Sequence, residues 1–358
     1  MIQSQITQLI EYGIQHKLYS AAQIVVSNSS QILFSYATGQ THTLNKKQHC
    51  FCTTPEKIST HSLFDIASIT KPLATAALMM CAIDDELLHI DQKLVSLQNL
   101  SVPPWLLGNT IGDLLSHQTE LPAWEDWHGE LPRLEEHEHA CEYFERQIQR
   151  LSPRDDGKSW CYSDFGYILL GILLERTYQK PLDELFRLKI AKPLGLDKKI
   201  MYRPLHHVPQ KSIVATAMYK NMPLQGHPDD ANTRALTHMA GHAGLFASAE
   251  TIATYLSALL NGHFPCKPKT IETFLNYRST QTPFALGWDR PTSSDSLSGR
   301  TPQDNVIGHL GFTGCSAWID LDKQSHVVFL TNRTHVNNEP KSLGETRRAV
   351  HKLAWSMI

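Results

Sequence analysis

The chain has 358 residues, of which 41% are hydrophobic, and its formal net charge is −2 at pH 7. A chain of this length and composition can bury a sizeable core, in one large domain or in two interleaved ones. The near-neutral charge gives no reason to expect a nucleic acid or an anionic membrane surface as a partner, and we set both classes aside.

The first predicted element is a helix within residues 1–18. Its apolar residues recur at helical spacing among Gln, Glu and His: Ile2, Ile6, Leu9, Ile10 and Ile14. This stripe differs from the apolar core of a secretory leader, and no run of eighteen apolar residues follows that would predict a membrane segment. We therefore expect a cytoplasmic protein; a periplasmic location stays open if a leader was removed.

Histidines and cysteines are numerous enough to raise the question of a metal site. The seven cysteines are an odd, scattered set, which favours reduced thiols over a disulfide framework. Three short clusters are His49-Cys50-Phe51-Cys52, His137-Glu138-His139 and His238-Met239-Ala240-Gly241-His242. None has the ligand spacing of a closed zinc site, and the last lacks the Glu of a zinc-protease helix. We expect neither a metal nor an organic cofactor.

Strands are predicted at both ends of the chain. Ala22–Ser27 and Gln31–Tyr36 are alternating or apolar runs joined by three polar residues, which is the pattern of a hairpin. Near the C-terminus, strands are predicted at Ile307–Gly311, Ser316–Asp320 and His326–Thr331.

Helices are predicted between and after these strands. Leu73–Leu88 and Tyr162–Glu175 are apolar on nearly all sides, which predicts buried helices, and the capping-type pair Ser163-Asp164 stands near the start of the second. The remaining helices are predicted at Ile111–His117, Glu135–Leu151, Ala249–Leu260 and Leu343–Met357.

This layout predicts an α+β architecture. The strands from both ends would form one antiparallel sheet, flanked by the terminal helices, with an all-helical insertion on one side. We expect residues 1–70 and 235–358 to form the α/β sheet subdomain and residues 71–234 a mainly helical subdomain. A cleft between the two would be the active site, because clefts between domains are preferred ligand sites.

Ser68-Ile69-Thr70-Lys71 is the first candidate for chemistry. A serine and a lysine three residues apart at a helix start lie on one helical face, so their side chains can meet. The unpaired N–H groups of the first helical turn would stabilise negative charge developing near Ser68. On its own the pattern also fits a capping serine beside a solvated lysine.

Two further motifs give the first one a context. Tyr162-Ser163-Asp164 stands at the start of the second buried helix, and His309-Leu310-Gly311 stands on a C-terminal strand. Together with S-x-x-K they resemble the motifs of the serine β-lactamase and penicillin-binding-protein superfamily, in its class C β-lactamase-like branch. The resemblance covers nearly the whole chain and implies a β-lactamase/transpeptidase-like fold.

The resemblance also implies roles. Ser68 would be the nucleophile, with Lys71 and Tyr162 as the other catalytic residues; either of these two could be the general base. The backbone N–H groups of Ser68 and Phe312 would form the oxyanion hole. Asp164, His309 and Gly311 would lie against the substrate.

Three residues depart from the family pattern. Asp164 stands where the class C-like pattern has Asn, and an ionised carboxylate beside Lys71 favours a protonated lysine. His309 stands in place of Lys and Leu310 in place of Thr, so a permanent cation suited to a β-lactam or peptide carboxylate is missing, although His309 could still donate one hydrogen bond. Tyr162, Asp164 and His309 each also have a structural interpretation, as a core anchor, an N-cap and a strand histidine.

We therefore expect a serine hydrolase that acts through an acyl-enzyme on Ser68. The expected substrate is a small ester or amide, as for a carboxylesterase, a D-amino-acid peptidase or an amidase of peptidoglycan fragments. The alternatives are a β-lactamase proper and a catalytically weak penicillin-binding or acyl-sensing protein of the same fold. Oligomeric state is left open.

Overall fold

The computed structural model describes residues 1–43, 54–127, 137–220, 222–336 and 340–358. The strands of this part are β1 (Ala21–Asn28), β2 (Ile32–Gly39), β3 (Phe64–Asp65), β4 (Ile200–Met201), β5 (Ala215–Tyr219), β6 (Met222–Gln225), β7 (Phe246–Ala247), β8 (Val306–Leu310), β9 (Ser316–Asp320) and β10 (Ser325–Thr331). The α-helices are α1 (Ile2–Gln15), α2 (Ala77–Asp84), α3 (Ile111–Leu115), α4 (His137–Gln149), α5 (Asp164–Tyr178), α6 (Leu182–Phe186), α7 (Ala231–Ala235), α8 (Ala249–Leu260), α9 (Pro268–Asn276), α10 (Arg333–Val336) and α11 (Pro340–Trp355). The cluster His49–Cys52 and the first two residues of the helix predicted from Glu135 lie outside the described residues.

Strands from both ends of the chain form the main sheet, as predicted. Its order is β2-β1-β10-β9-β8, and every neighbouring pair is antiparallel. Alternate residues of β1 face opposite sides: Ile24 and Val26 pack with Ile6 of α1 and with α11, whereas Val25 belongs to the large core on the other face. The terminal helices therefore cover one face of the sheet, and the rest of the molecule covers the other.

Two helices form the centre of the large core. In α2, every residue from Ala77 to Ala82 is buried, and in α5 every residue from Phe165 to Leu174 is buried. A helix that is surrounded by protein exposes no face to solvent, which explains why both segments are apolar on all sides. The S-x-x-K motif stands just before one of these helices and the Tyr162 motif just before the other.

Several short elements were not predicted. β3, β7 and β4 form a small three-stranded sheet, and β5 pairs with β6 in a hairpin, so strands also lie within residues 71–234. Strands of two residues are too short to show alternation, so their pattern carries no signal. The subdomain boundaries stay a prediction. No helix of the described ranges is long and apolar enough to cross a membrane.

Candidate active site

The turn that carries Ser68 is held in an uncommon backbone conformation. Ala67 has φ +48°, in the left-handed region that residues with a Cβ seldom adopt. The carboxylate of Asp65 accepts a hydrogen bond from the Ala67 N–H at 2.9 Å and another from the Asp229 N–H at 2.7 Å. Burial raises the pKa of Asp65 to about 7, although these two hydrogen bonds oppose the shift. Asp65 therefore fixes the turn that presents the serine.

Lys71 is fully buried and joins three parts of the site. After a 3₁₀ turn at Ala67–Ile69, the chain enters a π-helical segment that begins at Lys71. The Nζ atom donates to Ser68 Oγ at 3.0 Å, to Asp164 Oδ1 at 2.6 Å and to the carbonyl oxygen of His242 at 3.4 Å. The structure thus brings the first motif and the second together at one ammonium group.

The charges of this cluster follow from its burial. Burial alone would lower the pKa of Lys71, but the Asp164 carboxylate and the Tyr162 phenol outweigh it and raise the pKa above its ordinary value. Burial raises the pKa of Tyr162, while the Lys71 charge and hydrogen bonding with Lys71 and Ser68 oppose that shift. In the resting site Lys71 is therefore an ammonium, and Tyr162 is a protonated phenol whose ring centroid lies 4.7 Å from Nζ.

His309 lies at the end of β8, with its ring centroid 5.8 Å from that of Tyr162. Its Nδ1 donates to the Leu310 carbonyl oxygen at 2.8 Å, whereas its buried Nε2 has no hydrogen-bond partner within the described ranges. Burial and the Lys71 charge lower the pKa of His309 to about 3, so the ring is neutral at pH 7. Because Nδ1 carries the proton, Nε2 offers an acceptor, where the sequence suggested a donor.

Gly311 lets the third motif approach the nucleophile turn. A Cβ at this position would lie 2.6 Å from the Ile66 carbonyl oxygen, a distance no side chain tolerates. The next turn is tied to β3, because Thr313 Oγ1 donates to the Asp65 carbonyl oxygen at 2.8 Å. Within the described structure, the backbone N–H groups of Ser68 and Phe312 have no acceptor. This is the state expected of oxyanion-hole donors.

His117 packs against the Tyr162 ring and accepts a hydrogen bond from the next residue. It is buried with φ +58°, and its Nδ1 accepts a hydrogen bond from the Ser163 N–H at 3.1 Å. The centroid of its ring lies 4.6 Å from the ring centroid of Tyr162 and 4.7 Å from that of Phe284. Burial and the Lys71 charge hold the pKa of His117 well below its usual range. His117 is therefore a neutral residue that positions Tyr162.

A second supporting group was not predicted from the sequence. Asp230 caps α7 through the Thr233 N–H, and its Oδ1 lies 2.9 Å from His242 Nε2. Burial opposes ionisation of Asp230, but His242 and Thr233 outweigh it and hold the pKa of Asp230 below its usual range. Its only sequence signal is that of a helix N-cap, which says nothing about the residues it meets in space.

Asp164, Asp230 and His242 place ligand atoms within 4.8 Å of one another, as a metal site would require. The Lys71 ammonium already meets the Asp164 carboxylate at 2.6 Å, so a cation there would face a like charge. We interpret this group as the Lys71–Asp164 ion pair with a neighbouring Asp230–His242 hydrogen bond, which together orient Lys71.

A serine and a buried lysine in contact, at the start of a core helix beside an antiparallel sheet, define a β-lactamase/transpeptidase-like serine hydrolase. A profile of the beta-lactamase family matches residues 6–352. The chain belongs to the beta-lactamase family.

Individual relatives agree with this assignment. An N-acetylmuramyl-L-alanine amidase of Bacillus subtilis strain 168 is 30% identical over 78% of this chain and 70% of its own length. An Escherichia coli O157:H7 protein, provisionally named a D-alanyl-D-alanine carboxypeptidase, is 26% identical over 92% of this chain and 81% of its own. Among solved structures, the octameric penicillin-binding protein homologue from Pyrococcus abyssi matches with a TM-score of 0.73 and 17% identity, over 97% of this chain and 76% of the other.

Proposed function

We propose that this hydrolase cleaves an amide bond in a peptidoglycan fragment through an acyl-enzyme on Ser68. The observation that carries the proposal is the 3.0 Å contact between Lys71 Nζ and Ser68 Oγ, in a site where two backbone N–H groups have no acceptor among the described residues. A serine hydroxyl needs a neighbour to take its proton and donors to hold the oxyanion, and both are at hand.

The proton path follows from the Lys71–Asp164 pair. Lys71 is charged at rest, so it can take the Ser68 proton only as it passes one of its own to Asp164 Oδ1, 2.6 Å away. The bond between Ser68 Oγ and the substrate carbonyl carbon forms as the Lys71–Asp164 pair takes up this proton. When the C–N bond breaks, the leaving nitrogen takes a proton from the Tyr162 hydroxyl, which the pair then reprotonates. Water repeats the steps to release the acyl group.

The neutral His309 supports an amide or ester substrate over a β-lactam. With a pKa of about 3 it supplies no cation for a ring carboxylate, and its Nε2 can only accept a hydrogen bond. A substrate N–H is a suitable partner for that acceptor. Two relatives named for amidase and carboxypeptidase activity on peptidoglycan-type bonds make an amide the favoured substrate over an ester.

The test is covalent labelling followed by turnover. Intact-mass measurement after treatment with a fluorophosphonate should show one adduct on the wild type and on Ser4→Ala, an exposed serine of α1, but none on Ser68→Ala. The wild type should then release amine from muropeptides and hydrolyse p-nitrophenyl esters without hydrolysing nitrocefin. An adduct that persists on Ser68→Ala would contradict the nucleophile.

The two alternatives have different outcomes in the same assays. A β-lactamase proper would hydrolyse nitrocefin faster than it releases amine from muropeptides. An acyl-sensing protein would form a lasting penicillin adduct and turn over none of the substrates. Either result would replace the proposal.

A further inference from the structure

A second cluster of reactive side chains lies away from Ser68, between α4 and α5. His137 and Cys141 are one turn apart on the same face of α4, and Glu175 lies near the end of α5. The distance from His137 Nε2 to Glu175 Oε1 is 2.9 Å, from Cys141 Sγ to Nε2 3.4 Å, and from Sγ to Glu175 Oε2 3.6 Å. Nitrogen, sulfur and oxygen ligands thus converge on one point.

We propose that His137, Cys141 and Glu175 form a zinc site that ties α4 to α5. Tetrahedral zinc with ordinary bond lengths holds nitrogen and sulfur, or sulfur and oxygen, roughly 3.6 Å apart, and nitrogen and oxygen roughly 3.4 Å apart. The two sulfur distances already match. With Glu175 Oε2 as the oxygen ligand, 3.1 Å from His137 Nε2, this pair needs to open by about 0.3 Å. Three protein ligands leave the fourth position for water.

The surroundings of the cluster are those of a metal site. His137 Nδ1 faces the Leu236 carbonyl oxygen at 3.1 Å and Thr237 Oγ1 at 2.8 Å, which places Nε2 toward the centre of the cluster. Glu175 Oε1 also accepts a hydrogen bond from the Leu182 N–H at 2.7 Å, which fixes the carboxylate. Such outer partners orient histidine and carboxylate ligands in metal sites. A cavity of about 10 Å³ adjoins the three side chains, large enough for one water.

The ligand set selects the class of cation. Imidazole and thiolate suit zinc, whereas magnesium and calcium take oxygen ligands. Zinc binds cysteine as the thiolate, so binding at Cys141 displaces the thiol proton. Zinc affinity should therefore rise with pH.

The site is remote from the chemistry. Glu175 follows Asp164 by eleven residues on the same helix, which corresponds to roughly 16 Å. The ion would hold α5 against α4 without touching the reacting atoms. It should raise the melting temperature and leave kcat/KM unchanged.

No metal was expected from the sequence, because the cluster His137-Glu138-His139 lacks the ligand spacing of a closed zinc site. The two residues that complete the cluster lie one helical turn and 38 residues beyond His137, and only the packing of α4 on α5 unites them.

The test uses untagged full-length protein freed of metal by a chelator. Elemental analysis after zinc addition should find one ion per chain, and Co²⁺ should produce a thiolate-to-cobalt charge-transfer band. Cys141→Ser should remove the band and weaken zinc binding by about tenfold or more. Glu175→Gln should weaken zinc binding by a similar factor. A melting curve without metal that matches the wild type shows that each variant is folded.

Matched controls exclude the other candidate ligands. Cys161→Ser, the double variant Cys50→Ser/Cys52→Ser, and Asp230→Asn should each keep the band and the wild-type affinity. The proposal is wrong if Cys141→Ser binds zinc as the wild type does, if zinc binding is lost with Cys50 and Cys52, or if the wild type binds none.

Discussion

Asp164 is the residue at which the site departs most from the class C-like pattern. Its carboxylate lies 2.6 Å from Lys71 Nζ and sustains the lysine charge against complete burial. An Asn in its place could neither stabilise that charge as well nor accept a proton from it. If Asp164 accepts a proton from Lys71, restoring the family residue Asn should lower the activity.

Asp164→Asn, although it restores the family residue, should lower kcat/KM at pH 7 by about 10²-fold, the usual contribution of a proton-transfer group. The pKa of Lys71 should fall, because burial is then less opposed, so that any remaining activity rises with pH through this lower value. Steady-state kinetics from pH 5 to 10 would measure both effects. Asp295→Asn, an 81% exposed carboxylate, is the control. Equal or higher activity of Asp164→Asn at pH 7 would show that the carboxylate is not the acceptor.

How far the sequence predicts the site depends on how each residue acts. Ser68, Lys71 and Tyr162 could be proposed from the sequence because their spacing and family motifs are local in the chain. Asp230 could not be found in this way, since its contact with His242 exists only once α7 has packed beside the site. For His309 the position was predicted, but not its tautomer, which depends on the Leu310 carbonyl oxygen in the folded strand.

At the scale of elements, the end of β8 must lie close to the nucleophile turn. Gly311→Ala would place a Cβ 2.6 Å from the Ile66 carbonyl oxygen, so the strand must move away and carry the Phe312 N–H with it. Loss of one oxyanion donor usually costs about 10²–10³ in kcat. We expect a loss of that size with KM nearly unchanged, measured with p-nitrophenyl esters.

The control for this variant is Gly108→Ala, where an added Cβ would have no atom within 4 Å. It should keep wild-type kcat. A Gly311→Ala enzyme that also keeps wild-type kcat would mean that the Phe312 N–H does not serve the oxyanion.

The predictability of the elements follows their length. β9 and α8 have the predicted bounds, because each is long enough to carry a recognisable pattern. β9 is a run of five residues that is buried throughout, and α8 has three turns with apolar residues at helical spacing. β3, β4 and β7 have two residues each, and long-range pairing alone creates them. The π-helical segment at Lys71 was likewise beyond prediction, since it depends on the packing around the site.

At the scale of the whole molecule, the order of elements predicted the sheet. Strands at both ends of the chain with helices between them leave few arrangements other than one sheet that joins the termini, and β1 does pair with β10. The buried polar side chains in and around this sheet could not be predicted, because their partners are brought together from distant segments. Histidines are prominent among them, and they make the stability of the fold depend on pH.

Besides His117, four buried histidines have a lowered pKa: about 3 for His309 and His351, and about 4 for His326 and His335, with burial the main cause. The unfolded chain takes up these protons below about pH 6.5, whereas the folded chain does so only near these lower values. Their contribution to stability is therefore complete above about pH 6.5 and is lost as the pH falls toward 4. Asp65, Asp229 and Asp289 oppose this loss, since burial raises the pKa of each to about 6 or 7.

The histidines outnumber these three carboxyl groups, so the free energy of unfolding should fall between about pH 6 and pH 4. Urea unfolding at several pH values would measure the slope, which each buried histidine increases by about 1.4 kcal/mol per pH unit. His351→Gln can keep the contact with Ser316 Oγ, 2.9 Å from Nε2, while removing the titration, so its slope should be smaller by about that amount. His89→Gln, at an exposed position, is the control for the substitution itself. An unaltered slope in His351→Gln would show that acid does not destabilise the fold through this ring.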